Sequence, residues 1–173
     1  ALKCTPKSKL QNTKAKQKLL NEMTIHKSLN HPNIVKFLGV FHDKLFVYCI
    51  LELCEGGDVL QFLKSSSITV ERNDSNTENE PPKPVPYLSE NETVRIITQI
   101  LKSLLYLHEN AKIIHRDIKL QNFLISTNNV VKLSDFGLSI KMEDIDQNKK
   151  ATSICGTPNY LSPEVLTRNT HSY

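Results

Sequence analysis

The segment that most constrains the fold runs from Ser89 to His108. Ser89 and Glu92 stand at the spacing of a capping box, in which each side chain can satisfy an orphan backbone N–H at a helix start. Val94, Ile97, Leu101, Leu104 and His108 follow at spacings of three or four, and Ile100 and Leu105 widen that face. A helix this apolar needs cover, so the chain must build a packed core around it. The material is there. Of 173 residues, 39% are apolar, and a domain of this length buries roughly 70% of the surface of its unfolded chain. A wholly disordered chain is excluded. No apolar run approaches the roughly 20 residues of a membrane span.

Other segments supply the layers. Residues 14–29 read as a helix, with Leu19, Met23, His26 and Leu29 on one face. Pro32 closes it by pushing His31 out of helical dihedrals. Two strand-like runs follow, Val35 to Phe41 and Leu45 to Leu51, with His42-Asp43-Lys44 as a tight connection. Residues 65–87 carry a serine run, acids and four prolines, and read as a disordered or surface-looped insert. Past the long helix, short strands at Phe123–Ile125 and Val130–Leu133 are joined by hairpin material, Ser126-Thr127-Asn128-Asn129. From Asp135 to Glu164 no period is clear, which suits a long functional loop.

The net charge of +4 is uneven. Residues 1–30 hold seven lysines against one acid, Glu22, for +6; residues 65–90 hold five acids against two bases, for −3. No aromatics interleave with the lysines, so they read as an exposed helix face rather than a nucleic-acid platform. The four cysteines lack C-x-x-C spacing, which leaves zinc and redox readings without support. Cys49 and Cys54 read as buried thiols in a reducing, intracellular compartment. Ala1-Leu2-Lys3 carries no leader pattern and no Met, so the sequence reads as beginning inside a longer protein.

The chemistry is concentrated in three motifs. His115-Arg116-Asp117-Ile118-Lys119-Leu120-Gln121-Asn122 comes first, Asp135-Phe136-Gly137 lies eighteen residues after Asp117, and Ser162-Pro163-Glu164 follows. In this order they resemble the H-R-D-L-x-x-x-N, D-F-G and A-P-E signature of eukaryotic protein kinases. The resemblance implies an α+β, bilobal protein-kinase-like fold cut at both ends. Residues 1–54 would form the N-lobe and hinge without a glycine-rich loop, and residues 55–173 an incomplete C-lobe. It implies ATP and Mg²⁺ as cofactors and little transfer by residues 1–173 alone. Asp117 would accept the proton of the attacking hydroxyl, while Asn122 and Asp135 would hold magnesium on the phosphates. Lys3 would bind phosphate, with Glu22 as its ion-pair partner. Leu51 would be the gatekeeper, and Glu52-Leu53-Cys54 the hinge, offering adenine the Glu52 carbonyl and the Cys54 N–H. Loss of Lys3, Asp117, Asn122 or Asp135 would have favoured a pseudokinase scaffold, and all four are present.

Lys119 and Gly156-Thr157-Pro158-Asn159-Tyr160 resemble the Ser/Thr-specific kinases, with Thr157 expected to bond near Asp117 and Lys119. The family's activating phosphosite falls at Ser153, with Thr152 beside it and Arg116 as the partner of the phosphate. Asn21 to Leu29, Leu51 to Cys54 and Cys155 to Tyr160 are similar to polo-like kinases. The stretch from Leu161 to His171 leans to the SAK-like, centriole-duplicating branch. Glu55-Gly56-Gly57-Asp58 is equally typical of NIMA-related and autophagy-initiating kinases. The polo-like resemblance implies protein substrates, a cytoplasmic place with the centrosome or centriole as one site, and regulatory partners or polo boxes outside residues 1–173. It implies neither nucleic acid nor membrane as partner.

Overall fold

The computed structural model describes residues 1–69, 84–146 and 156–161. Its upper part is a three-stranded antiparallel sheet of β1 (Leu2–Pro6), β2 (Phe37–His42) and β3 (Phe46–Leu51), in the order β1-β3-β2. Lys3 pairs with Cys49, and Cys49 pairs on its other side with Val40. Asp43 makes the β2–β3 turn. Its Oδ1 accepts the Leu45 and Phe46 N–H groups, each at 2.7 Å, a side-chain substitute for a backbone turn.

Helix α1 (Thr13–Ser28) crosses beside the sheet. Asn12 caps it by accepting the Ala15 N–H at 2.7 Å. The helix buries Ile25 and His26, and Leu29 is buried just beyond its end. Leu19 and Met23, expected on the same buried face, are only half-buried. They lie nearer the N-terminal end, where the helix stands off the sheet across a cavity.

The lower part begins with α2 (Val59–Ser65), capped by Asp58 Oδ1 on the Gln61 N–H at 2.9 Å. Ahead of it the chain passes close to β7 (Phe123–Ile125). A Cβ on Gly56 would lie 2.9 Å from Ile125 side-chain and carbonyl atoms, so that approach requires glycine. β7 and β8 (Val131–Leu133) form the expected hairpin. The expected loop after Asp135 contains a short strand, β9 (Ile140–Lys141), paired with β6 (Ile113–Ile114). The ends of the proposed insert are also strands: β4 (Ser67–Thr69) pairs with β5 (Pro84–Pro86). Residues 70–83 lie outside the described residues.

The long helix is α3 (Glu90–Leu105), and the Ser89 half of its capping box forms, while the Glu92 carboxylate accepts the Ser89 hydroxyl rather than its N–H. The Glu92 N–H meets Ser89 Oγ at 3.2 Å, and the Ser89 hydroxyl donates to Glu92 Oε2 at 3.0 Å. Its buried face matches expectation in part: Ile100 is buried and Leu104 is half-buried against the core. Ile96, Ile100 and Ser103 are buried, followed by Leu107 beyond its end. Val94, Ile97, Leu101 and Leu105 are exposed. The helix is apolar on two sides, and β8 covers the side that carries the small Ser103, whose hydroxyl bonds the Ile100 carbonyl at 2.6 Å.

One core joins the two parts. Ile25, Leu29 and Ile34 pack with Ile100, Phe123, Leu133 and Phe136. Backbone bonds run alongside: Val35 N–H to the Leu133 carbonyl and Leu133 N–H to the Asn33 carbonyl, both at 2.9 Å. No described helix is long and apolar enough to cross a membrane.

Candidate active site

Two clusters of charged side chains meet between the parts. In the first, β1 presents Lys3 and α1 presents Glu22, with Nζ to Oε1 at 2.6 Å. Lys3 also reaches Asp135 Oδ1 at 2.9 Å. Burial pushes the Lys3 ammonium down, but hydrogen bonds and charge from Glu22 and Asp135 outweigh it and hold its pKa above the ordinary value. Burial likewise pushes the Asp135 carboxyl up, and the bonds and charge of Lys3 and the Gly137 N–H bring it below the usual range.

The second cluster surrounds Asp117. Its Oδ1 accepts the Thr157 hydroxyl at 2.7 Å. Its Oδ2 takes Lys119 Nζ at 2.8 Å and Asn122 Nδ2 at 3.0 Å. Lys119 donates to Thr157 Oγ1 at 2.8 Å, closing the network. Burial raises the Asp117 carboxyl, and the bonds from Lys119, Thr157 and Asn122 more than reverse it. An ionised carboxylate therefore faces a hydroxyl group at neutral pH, the arrangement that orients an attacking O–H and receives its proton.

The clusters are tied through the backbone. The Ser134 N–H and hydroxyl both bond the Asn122 carbonyl at 2.8 Å. His115 donates from Nε2 to the Ser134 carbonyl at 3.0 Å and accepts the Asp117 N–H at Nδ1, 3.3 Å away. Those roles require the neutral imidazole, and burial holds its pKa down. Arg116 and Asp135 both adopt positive φ, 65° and 62°. Neither is glycine, so the surrounding contacts hold strained backbone at this site.

The donor set suits a hard cation. Asn122 commits its amide nitrogen to Asp117, to the carbonyl oxygen at 2.7 Å as well as to the carboxylate, which leaves its amide oxygen as a ligand. Asp135 is a half-exposed ionised carboxylate. Among the described residues no group of three or more His, Cys, Asp or Glu is placed to hold a metal alone. A cation here would share its coordination with phosphate oxygens, as magnesium does with ATP.

Leu51 ends β3, its N–H and carbonyl both paired with Ala1. Beyond it, no described group bonds the Glu52 carbonyl or the Cys54 N–H. Cys54 is half-buried, not fully buried as expected; Cys49 is buried. Ser153, Thr152 and Ser162-Pro163-Glu164 lie outside the described residues. Arg116 donates Nε to the Leu138 carbonyl at 2.7 Å.

Two features escaped the sequence reading. His115, Phe136, His26 and Phe37 form a column of rings with centroids 5.2, 4.7 and 5.5 Å apart, linking β2 and α1 to the loop of Asp117. Their spacing in sequence is irregular, so no pattern marks them. The other is Lys132, which pairs with the Glu52 carboxylate at 3.0 Å and bonds the Pro32 carbonyl at 2.7 Å.

The protein kinase domain pattern matches residues 1–173. The chain is 43% identical over its full length to a probable serine/threonine-protein kinase PLK of Dictyostelium discoideum, covering 15% of that protein. It is 41% identical over 91% of its length to the serine/threonine-protein kinase polo of Drosophila melanogaster, covering 24% of it. It is 36% identical over 99% of its length to the serine/threonine-protein kinase PLK4 of Xenopus tropicalis, covering 16% of it. The chain thus spans between 15% and 24% of the length of these curated relatives.

Proposed function

The chain belongs to the protein kinase domain family, and on that premise we propose that the protein is an ATP-dependent serine/threonine kinase of polo-like type. It transfers the γ-phosphoryl group to Ser or Thr hydroxyls of protein substrates. The observation that carries this reading is the network of Asp117, Lys119, Asn122 and Thr157. The Thr157 hydroxyl at 2.7 Å from Asp117 Oδ1 makes the contact that an acceptor hydroxyl needs.

Each residue has a role in this reading. Asp117 orients the acceptor and takes its proton. Lys119, beside the reacting groups, offsets negative charge. Lys3, steadied by Glu22, binds phosphate, and the backbone of Glu52 and Cys54 holds adenine below Leu51. Asn122 and Asp135 would hold magnesium, which supplies charge neutralisation on the phosphates when bound. The activating phosphate is assigned to Ser153, or to Thr152 beside it. A relative 36% identical over 96% of the chain is named a cell cycle serine/threonine-protein kinase, of Saccharomyces cerevisiae, and that name supports a cell-cycle role. The cytoplasm, with the centrosome or centriole as one site, completes the proposal.

The test is Asp117→Asn in the intact protein. Nucleotide affinity should hold while turnover falls by about 10²- to 10⁴-fold, the usual worth of general-base catalysis. Turnover near that of the unaltered protein would overturn the role given to Asp117.

A further inference from the structure

We propose that Ser134 is a positioning residue whose hydroxyl ties Asn122 to Asp135, so that the two groups that would hold magnesium are presented as one unit and favour that cation over a larger one. The use made of the cation rests on the kinase reading; the tether itself is read from the hydrogen bonds.

Ser134 follows β8 directly and is half-buried. All its polar groups turn toward the loop of Asp117. Its N–H and its hydroxyl donate to one acceptor, the Asn122 carbonyl, each at 2.8 Å. Its carbonyl accepts His115 Nε2 at 3.0 Å. Any residue but proline could make the backbone bond. The hydroxyl is what serine adds. A single bond leaves a pivot, whereas two donors from one residue on one oxygen fix a direction as well as a distance.

Both ends of the tether matter to a cation. Asn122 is buried, its N–H bonded to the Lys119 carbonyl at 3.0 Å and its amide nitrogen to Asp117, so a shift of its backbone carries the amide oxygen with it. Asp135 holds φ at 62°, which a residue other than glycine keeps only under constraint. Ser134 is fixed at its N–H, its side chain and its carbonyl, so the peptide leading into Asp135 cannot turn freely. Magnesium demands short, near-octahedral oxygen ligands, while calcium accepts longer and more varied ones. A loosened pair therefore costs magnesium more.

The experiment is calorimetric titration of the intact protein with adenylyl imidodiphosphate, an ATP analogue that resists transfer, in EDTA, in Mg²⁺ and in Ca²⁺. Ser134→Ala should bind it in EDTA as the unaltered protein does. In Mg²⁺ it should bind about three- to tenfold more weakly, the worth of one neutral hydrogen bond. The loss in Ca²⁺ should be smaller. Ser134→Thr keeps the hydroxyl and should restore the Mg²⁺ value. The Asn122 carbonyl keeps the Ser134 N–H in Ser134→Ala, so the melting temperature should fall by no more than about 4 °C. Amide exchange at residues 135–137, followed without metal or nucleotide, should quicken in Ser134→Ala while α3 keeps its protection. Unchanged affinity of Ser134→Ala in Mg²⁺ would overturn the proposal and leave the kinase reading standing. So would unchanged exchange at residues 135–137, or Ser134→Thr binding no better than Ser134→Ala. Equal losses in EDTA, Mg²⁺ and Ca²⁺ would also overturn it, since the hydroxyl would then serve the nucleotide or the fold at large. An unaltered protein whose affinity for the analogue is indifferent to Mg²⁺ would overturn the proposal and the kinase reading together.

Discussion

Lys3 answers to two carboxylates at once, and this makes its contribution depend on pH. Asp135 has a depressed pKa, so its contribution to stability is present above the unfolded carboxylate value and is lost as pH falls through the lowered folded value. Lys3 has a raised pKa, so its contribution is complete below the unfolded lysine value and is lost only as pH rises through the raised one. Between about pH 4 and about pH 10 both hold. Lys3→Met leaves Glu22 and Asp135 facing each other without a cation. The pair is partly exposed, so near pH 7 the loss should be about 1 kcal/mol, or about 2–4 °C in melting temperature for a chain of this size. Near pH 3 Asp135, no longer held down by Lys3, takes up its proton in the variant, the repulsion fades, and the gap between the two proteins should narrow. A gap equally wide at both pH values would refute this account. At this scale much of the site was legible, because Asp117, Lys119 and Asn122 lie within one short motif. Backbone strain was not, because nothing in the identities of Arg116 and Asp135 announces positive φ.

At the scale of elements, α3 shows where hydrophobic pattern stops being informative. Val94, Ile97 and Leu101 make one apolar face, and Ile96 and Leu107 make another at equally helical spacings, with Ile100 at the border between them. Periodicity gives a face and a period but cannot rank two faces. Ser103 concealed the buried one: a small polar residue reads as solvent-facing, yet its hydroxyl is satisfied within the helix. The Ser89 cap was legible because it depends on two local residues alone. The paired ends of the 65–87 segment were not, since prolines lower the strand signal and an edge pairing tolerates them. Ile100 lies in the core shared by both parts. Ile100→Ala should cost about 2–5 kcal/mol through lost burial and a residual cavity. Thr98→Ala, on an exposed position of the same helix, should stay within about 0.5 kcal/mol. Chemical denaturation of the two variants checks the assignment, and similar costs would place the buried face elsewhere.

At the scale of the molecule, the nucleotide side and the acceptor side must keep one geometry although few covalent links join them. The shared core and the Val35–Leu133–Asn33 backbone bonds supply the central tie. Lys132 supplies another at the back of the hinge. From β8 it reaches the Glu52 carboxylate and the Pro32 carbonyl, joining the lower hairpin to the hinge and to the connection between α1 and β2. Its side chain is 12% exposed, so solvent screens it far less than it screens a surface lysine. Lys132→Met keeps the length of the stem and removes the donor. Glu52 then retains the Lys36 N–H at 3.1 Å but loses its cation. Removing one partner of a charged hydrogen bond in this setting should cost about 1–3 kcal/mol, and the loss should fall on the joint rather than on either part. Amide exchange should therefore quicken at residues 33–36 and 51–54 while α3 keeps its protection. Unchanged exchange at the joint, or faster exchange spread evenly over the chain, would show that the shared core alone sets how the two parts are held.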